Sequence, residues 1–451
     1  MALKALIYPR LPAFAQQWWA RLDCSPLRAR MARGAFWSLA GAGISRGLAL
    51  LSSILVFWIV SQEGFGKLGI IQSTAGLFGV FAGFGLGLTS TKYVAEFREK
   101  NPAKAGRILA LSAVVAWVTS GVAAAALFAS APWLAAHLVA PELTPALRIS
   151  ALLVLLGGVN GAQTGALSGF ESFKAIAWVN LLTGLASFPL QIAGAWAWGV
   201  EGAVGGLAAG LALNVLLNHL VLRHESLKFG IHSAHPDWCN ELPVLWQFSL
   251  PAILQAMVVM PTTWWCFVVL SRAPGGFAEM GAINVGRTWQ NMILFLPTAF
   301  ASASFPIMAN LSGTASRQVR ASIIGILAVN ALLSLAMAIP VCLLSTTIAS
   351  FYGPVFGNMQ TIIWIMAVTA ALMAPSHVCN HALNAWGRAW VGFALLVVWS
   401  VFVVTAASLQ PALSGVRLAT ILLASQVLNL LTYGAVLSSR LKRVQAGATQ
   451  P

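Results

Sequence analysis

The chain has 451 residues, of which 59% are hydrophobic and 8% are charged, and its mean hydropathy is +0.81. Soluble domains carry about 25% charged residues, so a soluble protein is excluded, because these few charges cannot cover a globular surface. The length matches roughly twelve membrane crossings of about 20 apolar residues each. The apolar runs are continuous rather than alternating, which excludes an outer-membrane barrel.

Apolar runs bounded by charged and turn residues predict twelve helices, in chain order over residues 35–60, 68–91, 108–130, 147–168, 175–198, 203–222, 244–270, 280–305, 321–348, 360–385, 389–408 and 416–437. Helices satisfy every backbone donor and acceptor within a single crossing of lipid. We therefore predict an all-α polytopic membrane protein with about twelve transmembrane helices in two six-helix bundles. The predicted parts are a basic tail over 1–34, a bundle over 35–222, a linker over 223–243, a second bundle over 244–437 and a tail over 438–451.

The net charge is +15, from 26 Lys and Arg against 11 Asp and Glu. In a soluble protein this excess would indicate a nucleic-acid partner. Here the predicted topology places 20 basic residues on the side of both termini and four on the other side, namely Lys67, Arg148, Arg272 and Arg417. Because basic loops stay in the cytoplasm, we predict a multi-pass membrane protein with both termini cytoplasmic and no nucleic-acid partner.

The two predicted bundles carry weakly similar segments. GFGKLGIIQ begins at Gly64 before the second span, and GFAEMGAIN begins at Gly276 before the eighth. Near the ends of the fourth and tenth spans, the Ala-Leu pair that starts at Ala166 matches the pair that starts at Ala382, at an offset of 216 residues. With six spans per half, both halves start on the same side, so these matches predict a parallel repeat. The alternative is chance similarity between apolar stretches.

Two basic residues lie deep inside the predicted spans, away from their ends: Arg46 near the middle of the first and Arg287 about two turns into the eighth. A charge at this depth costs at least about 2.5–3.5 kcal/mol and usually faces a cavity or a partner. No Asp or Glu falls inside the predicted spans, which favours an anionic ligand as the counter-ion. The alternative is that each guanidinium bonds backbone carbonyls or amide side chains and only fixes helix packing.

Polar side chains flank Arg287, because Asn284, Gln290 and Asn291 follow it or precede it at helical spacing and are predicted to share its face. The planar donor fork of arginine matches the oxygens of a pyrophosphate. We therefore predict a substrate-binding site made of Arg46, Arg287, Asn284, Gln290 and Asn291, with no catalytic residue.

In the second span, helical spacing relates four glycines and one glutamine, namely Gly69, Gln72, Gly76, Gly79 and Gly83. This pattern favours close helix–helix contact, with a cavity-lining helix as the alternative. The tenth span contains four polar residues, His377, Asn380, His381 and Asn384. Its two histidines lie four residues apart, but no acidic or thiolate partner follows at a recognisable spacing. Interhelical hydrogen bonding is therefore favoured there over a proton-responsive face.

The five cysteines show no metal spacing, so neither a metal nor a cofactor is predicted.

The chain resembles Wzx-type polysaccharide and O-antigen flippases over essentially its whole length, through the segments GAFWSLAGAGIS, FGKLGIIQSTAGLFGVFAGFGLGLTSTKYVAEFR and ALSGFESFKAIAWVNLL. These flippases belong to the multidrug/oligosaccharidyl-lipid/polysaccharide (MOP) exporter superfamily, together with multidrug efflux (MATE) and lipid II flippases. The resemblance implies two bundles around a central cavity that opens alternately to cytoplasm and periplasm.

The resemblance also implies a substrate, undecaprenyl pyrophosphate carrying an oligosaccharide repeat unit, for O-antigen, capsule or exopolysaccharide synthesis. The partners it implies are membrane lipids, a polysaccharide polymerase and the chain-length machinery, and the location it implies is the bacterial inner (cytoplasmic) membrane. Flippases of this group use cavity arginines for the anionic head, and Arg46 and Arg287 match such positions by helix and depth.

Three other functions agree less well with the sequence. A cation-coupled exporter of drugs or small molecules, of the MATE type, generally needs a carboxylate within the membrane, and the predicted spans have none. A membrane polysaccharide polymerase or ligase typically carries a large periplasmic loop, whereas the predicted outside loops are short. A structural scaffold gives no reason for buried arginines. We therefore predict a transporter and not an enzyme.

Overall fold

The computed structural model describes residues 26–83, 85–231, 241, 250–310, 316–353, 358–386, 388–410 and 412–447, which are helical with short connections and contain no strand. The helices of the first half are α1 (Pro26–Gly83), α2 (Leu86–Phe97), α3 (Pro102–His137), α4 (Thr144–Gly169) and α5 (Phe173–Lys228), with a short 3-10 helix at Pro141–Leu143. Those of the second half are α6 (Leu250–Ser271), α7 (Gly276–Asn310), α8 (Ser316–Leu343), α9 (Ser345–Ser350), α10 (Met359–Ala385), α11 (Ala389–Ser408) and α12 (Gly415–Gly447).

Two helices are hairpins that contain two crossings each. The chain reverses in α1 at Ser61, with φ 65° and ψ 174°, and in α5 at Trp198 and Gly199, where Gly199 has φ 58° and ψ −131°. Only glycine adopts positive φ without steric cost, which explains the residue at the second reversal.

Within the described residues, nine helices are long and apolar enough to span a membrane, both hairpins among them. Each hairpin supplies two crossings, and α7, which has 35 residues, is long enough to supply one more. The predicted all-α membrane fold of about twelve transmembrane helices is therefore confirmed.

The helices differ from the predicted spans in their limits. α1 begins at Pro26, ahead of the predicted start at residue 35. The predicted second span is interrupted at Gly85, which has φ 64°, and α2 continues to Phe97. The predicted ninth span runs to residue 348, whereas the observed helix α8 ends at Leu343 and is followed by the short helix α9. Much of the predicted tail and linker lies outside the described residues, at 1–25, 232–240 and 242–249.

Because the helices are longer than the predicted spans, they include acidic residues that the spans did not. Glu63 and Glu201 follow the two hairpin reversals, and Glu279 lies in the first turn of α7. Oε2 of Glu279 accepts a hydrogen bond from the backbone N–H of Gly415 at 2.7 Å. These carboxylates therefore lie at turns and helix ends.

The two halves pack on each other where α1 reverses, and we call this contact the closed end. The Gln62 amide donates to the Ala278 carbonyl oxygen at 2.8 Å. A Cβ on Gly66 would lie 2.8 Å from the carbonyl carbon of Phe277, and one on Gly281 would lie 3.0 Å from the carbonyl carbon of Gln62. Only glycine permits this approach of two backbones. The similar segments GFGKLGIIQ and GFAEMGAIN are thus in direct contact.

Aromatic side chains extend the closed end. The Trp58 indole N–H donates to the Phe351 carbonyl oxygen at 2.8 Å, and the rings of Phe57 and Tyr352 meet edge to face with centroids 5.0 Å apart. These contacts join α1 to the segment after α9. Under the predicted topology the closed end is periplasmic, and that orientation remains a prediction.

Candidate functional site

A cavity of about 280 Å³ lies between the two halves, next to the closed end, and we call it the central cavity. Its walls come from α1, α6 and α7, and its lining residues are Phe65, Leu68, Gly69, Gln72, Ser73, Gly76, Met260, Thr263, Asn284, Arg287, Thr288 and Asn291. The wall combines hydroxyl and amide groups with a single cationic side chain. It contains no Asp or Glu among these residues.

Arg287 stands between the central cavity and a second cavity of about 140 Å³ inside the second half, because it lines both. Its guanidinium carbon lies 5.4 Å from the ring centroid of Phe267, a cation–π contact worth roughly 0.5–2 kcal/mol. Among the residues that the structure describes, no hydrogen bond or ion pair engages this guanidinium. The charge is therefore available to a ligand.

Arg46 reaches α7 from the opposite half. Its Nη1 donates to the Asn291 carbonyl oxygen at 3.4 Å, and its guanidinium carbon lies 4.9 Å from the ring centroid of Phe295. Its side chain is exposed. Asn291 follows Arg287 by one helical turn, about 6 Å along the axis. This stretch of α7 therefore carries its own arginine, Arg287, and is contacted by Arg46 from the other half of the molecule.

The polar neighbours of Arg287 do not share one environment. Asn284 and Asn291 line the central cavity, and Nδ2 of Asn284 donates to the Phe65 carbonyl oxygen across the closed end at 3.1 Å. Gln290 instead lines the second cavity, with Nε2 4.0 Å from Sδ of Met373. The structure brings Arg46, Arg287 and the two asparagines together, and it separates Gln290 from them. Their role as a substrate site remains a prediction.

Several central-cavity residues were missed by the sequence reasoning. Ser73, Thr263 and Thr288 contribute hydroxyl groups to the wall. Serine and threonine are common inside membrane helices because they satisfy their own helix backbone, as Thr288 does by donating to the Asn284 carbonyl oxygen at 2.9 Å. No sequence signal therefore marked them.

The glycine-rich face of the second span combines both of its predicted uses. Gly69 packs against the side chain of Asn284, as the close-contact interpretation requires. A Cβ on Gly79 or Gly83 would meet no atom within 4 Å, and these glycines line a separate cavity with Gln72. The favoured interpretation of close contact is therefore wrong for Gly79 and Gly83, where the helix lines open space.

The histidine pair of α10 does not belong to the central cavity. Nearby, Nδ2 of Asn380 approaches Oε1 of Gln255 at 3.4 Å, and Nε2 of Gln255 approaches Oδ1 of Asn384 at the same distance. Such contacts between α6 and α10 are the interhelical hydrogen bonding favoured from the sequence. The part of the chain that the structure describes holds no cluster of three or more metal-ligating side chains.

Comparison with known families gives a match for residues 31–312, to the family described as polysaccharide biosynthesis protein. The matched segment covers more than half of the chain and includes Arg46 and Arg287.

Two relatives carry the name EPS I polysaccharide export inner membrane protein EpsE. The protein from Ralstonia nicotianae is 26% identical over 379 residues, covering 82% of this chain and 85% of the relative. The protein from Ralstonia solanacearum is 26% identical over 390 residues, covering 85% and 88%.

Solved structures share the fold. A MATE family multidrug transporter of the MOP superfamily in an inward-facing conformation has a TM-score of 0.69 at 14% identity, covering 92% of this chain and 100% of that one. The outward-facing conformation has a TM-score of 0.64 at 15% identity, covering 92% and 96%. A MOP superfamily transporter from Pyrococcus furiosus has a TM-score of 0.67 at 14% identity, with the same coverage. These likenesses confirm the predicted MATE-like fold.

Proposed function

Because this chain belongs to the polysaccharide biosynthesis protein family, we propose that it is an inner-membrane transporter that flips undecaprenyl-pyrophosphate-linked oligosaccharide repeat units by alternating access. The names of the EpsE relatives support polysaccharide export and the inner membrane. The fold supports movement of two helical halves about a shared cavity. The product serves O-antigen, capsule or exopolysaccharide synthesis, upstream of a polymerase and chain-length machinery.

The observation that carries the proposal is a pair of arginines: Arg287 lines the central cavity, and Arg46 contacts Asn291, which lines the same cavity. Arg287 has no described hydrogen-bond or ion-pair partner, and Arg46 has only a carbonyl oxygen and an aromatic ring. Guanidinium groups bind phosphate oxygens through two parallel hydrogen bonds, and such bonds strengthen where water is scarce. Two arginines from opposite halves therefore suit the two phosphates of a pyrophosphate.

Amide and hydroxyl groups around the arginines suit the sugar. Asn284, Asn291 and Thr288 offer donors and acceptors within one or two turns of Arg287. At about 280 Å³ the cavity is smaller than the roughly 300–1,000 Å³ of pockets for drug-sized ligands. An oligosaccharide thus requires the halves to separate, while the polyprenyl chain remains in the bilayer.

The second candidate function is a cation-coupled multidrug exporter, which the fold of the MATE transporters favours. A cationic drug or a coupling ion needs a nearby carboxylate, because an unpaired cation in a low-dielectric site is strongly disfavoured. The described linings of the central and second cavities supply a cation and no carboxylate. This charge favours an anionic substrate.

The proposal is tested in cells whose surface glycan depends on this protein. We expect Arg287→Ala and Arg46→Ala to abolish most surface glycan, and Arg→Lys at either position to restore part of it, since lysine keeps the charge without the donor fork. Arg417→Ala is the matched control, because Arg417 is exposed and bonds only the nearby Ala412 carbonyl oxygen. Membrane insertion is checked by immunoblot of each variant.

Two results would count against the proposal. Full glycan in both alanine variants would remove the arginines from the mechanism. Normal glycan in a strain that lacks the protein, with altered drug sensitivity, would favour the exporter.

A further inference from the structure

A pocket of about 370 Å³ lies inside the first half, apart from the central cavity, and we call it the N-bundle pocket. It is formed by α2, α3, α4 and the second crossing of α5. Its lining residues are Ser90, Leu109, Ser112, Ala113, Ala116, Trp117, Val159, Ala162, Gln163, Ala166, His219, Leu222, Arg223 and Ser226.

Four buried polar atoms of this pocket have no hydrogen-bond partner among the described residues. They are Oγ of Ser90, Ser112 and Ser226 and Oε1 of Gln163. The three serines are at most 3% exposed. Leaving such a group unpaired costs about 1–3 kcal/mol, so isolated cases are expected and four around a single cavity are not. Their convergence indicates a polar ligand.

A cationic rim lies beside these groups. Arg223 and His219 are exposed and stand one turn apart on α5. Among the described residues, Arg223 makes no hydrogen bond or ion pair. The serine hydroxyls, the Gln163 amide after rotation and the Arg223 guanidinium can all donate to one acceptor group. The chemistry of the pocket therefore fits an anion with several oxygens.

The position of the pocket fits the surface of the bilayer. Ser226 lies in the last turn of α5, which ends at Lys228, and Ala166 lies in the last turn of α4, which ends at Gly169. Trp117 on the wall is 50% exposed. Trp117 lies near the middle of the predicted third span, 108–130, so the pocket extends from the helix ends at headgroup depth toward the acyl chains.

The second half supplies an internal comparison. A pocket of about 610 Å³ lies between α8, α10 and α12, and it is the counterpart of the N-bundle pocket in the repeat. The offset of 216 residues relates Gln163 to Cys379 in α4 and α10. An offset of 215 residues relates α3 to α8 and α5 to α12. It gives the pairs Ser112 and Leu327, His219 and Gly434, and Arg223 and Ser438.

The four pairs differ in the same direction, because polar or basic residues of the N-bundle pocket correspond to apolar, small or neutral residues in its counterpart. The counterpart has a rim arginine of its own, Arg320, which corresponds by the same offset to Ala105. A basic rim is therefore common to both pockets. The feature specific to the first half is the set of buried hydroxyl and amide groups, unpaired among the described residues, beside an arginine. This combination points to a ligand that only this half holds.

We propose that the N-bundle pocket binds the phosphate headgroup of an anionic phospholipid, taken from the leaflet that faces the ends of α4 and α5. Arg223 and the serine hydroxyls hold the phosphate oxygens, His219 lies at the entrance, and the acyl chains remain in the bilayer beside Trp117. The site holds the first half of the transporter at a fixed depth in that leaflet. It is separate from the substrate site at Arg46 and Arg287.

The test uses the full-length protein, stripped of lipid in detergent. Phosphatidylglycerol, phosphatidylcholine and inorganic phosphate are added separately, while thermal unfolding and native mass spectrometry are recorded. We expect phosphatidylglycerol to raise the melting temperature and to be retained as one bound lipid. Phosphatidylcholine should have a weaker effect, because its headgroup has no net charge. Stabilisation by inorganic phosphate alone would replace the lipid by a soluble anion and overturn the proposal.

The variants are chosen by comparing the N-bundle pocket with its counterpart in the second half. Arg223→Ser introduces the residue of the counterpart position, and Ser112→Ala removes a hydroxyl that has no partner, so neither is expected to destabilise the lipid-free protein. Each should weaken phosphatidylglycerol binding by about tenfold. Arg320→Ser, at the rim of the counterpart pocket, is the matched control and should bind as the parent does. Unchanged binding in both Arg223→Ser and Ser112→Ala would overturn the proposal.

Discussion

The closed end predicts the effect of adding a side chain at Gly281. A Cβ there would lie 3.0 Å from the carbonyl carbon of Gln62, closer still to its oxygen, and 2.9 Å from Cγ of the same residue. Ordinary contact begins at 3.4 Å, and the nearest atoms are backbone, so no side-chain rotation relieves the clash. Gly281→Val therefore requires α1 and α7 to move apart.

The size of the effect follows from two contributions. Overpacking a well-fitted contact costs about 1–3 kcal/mol. Loss of the hydrogen bond from Gln62 to the Ala278 carbonyl oxygen, 2.8 Å long, adds about 0.5–1.5 kcal/mol. Together they disfavour the closed end by roughly 2–4 kcal/mol, and each 1.4 kcal/mol changes a population ratio tenfold. The variant should therefore populate molecules in which this end is open.

The assay is a distance measurement by pulsed electron paramagnetic resonance. Spin labels replace Ala136 at the end of α3 and Leu409 after α11, both exposed positions, in a background without native cysteines. We expect Gly281→Val to lengthen the distance distribution, and Gly281→Ala to lengthen it less. Gly325→Val is the matched control, because its Cβ would meet no atom within 4 Å. An unchanged distribution in a folded Gly281→Val protein would refute the reasoning.

Two further predictions concern stability, measured by thermal unfolding in detergent. Gly199→Ala should lower the free energy of unfolding by about 1–2 kcal/mol, because an L-residue is strained at the positive φ of this position. Gly205→Ala is the control and should leave the free energy of unfolding unchanged, because Gly205 is helical and an added Cβ would meet open space. Equal losses of stability in the two variants would contradict the prediction. Arg98→Met should cost about 2 kcal/mol, since Nη2 is 2.6 Å from Oε1 of Glu171 and the guanidinium is buried. Glu99→Gln should be close to neutral, because the Glu99 carboxylate is exposed and lies 3.6 Å from Nε of the same arginine.

The sequence predicted the number and order of crossings because hydropathy is a local property of each segment. It did not predict the break at Gly85, because glycine is common in membrane helices and does not by itself mark an interruption. Likewise, the limits of α1 were set too late, since the helix continues from Pro26 through a polar and basic stretch. Helical hydrogen bonding continues outside the lipid, where hydropathy carries no signal.

The depth of Arg46 and Arg287 was readable from the sequence, but their surroundings were not. Helical spacing placed Gln290 beside Asn291 on the face of Arg287, whereas the structure divides that face between two cavities. Which cavity a residue enters depends on neighbouring helices that are distant in sequence. The approach of Arg46 to α7 is of the same kind, because it joins residues 245 positions apart.

The resting contacts of Arg46 have a consequence for turnover. A carbonyl oxygen at 3.4 Å and an aromatic face at 4.9 Å are weak, neutral stand-ins for an anion, each worth about 1 kcal/mol. They hold the guanidinium in place between cycles without competing strongly for it. In the proposed transport cycle, a pyrophosphate displaces these contacts at little cost, and the same contacts form again after its release, so the empty carrier would not be locked by an internal ion pair.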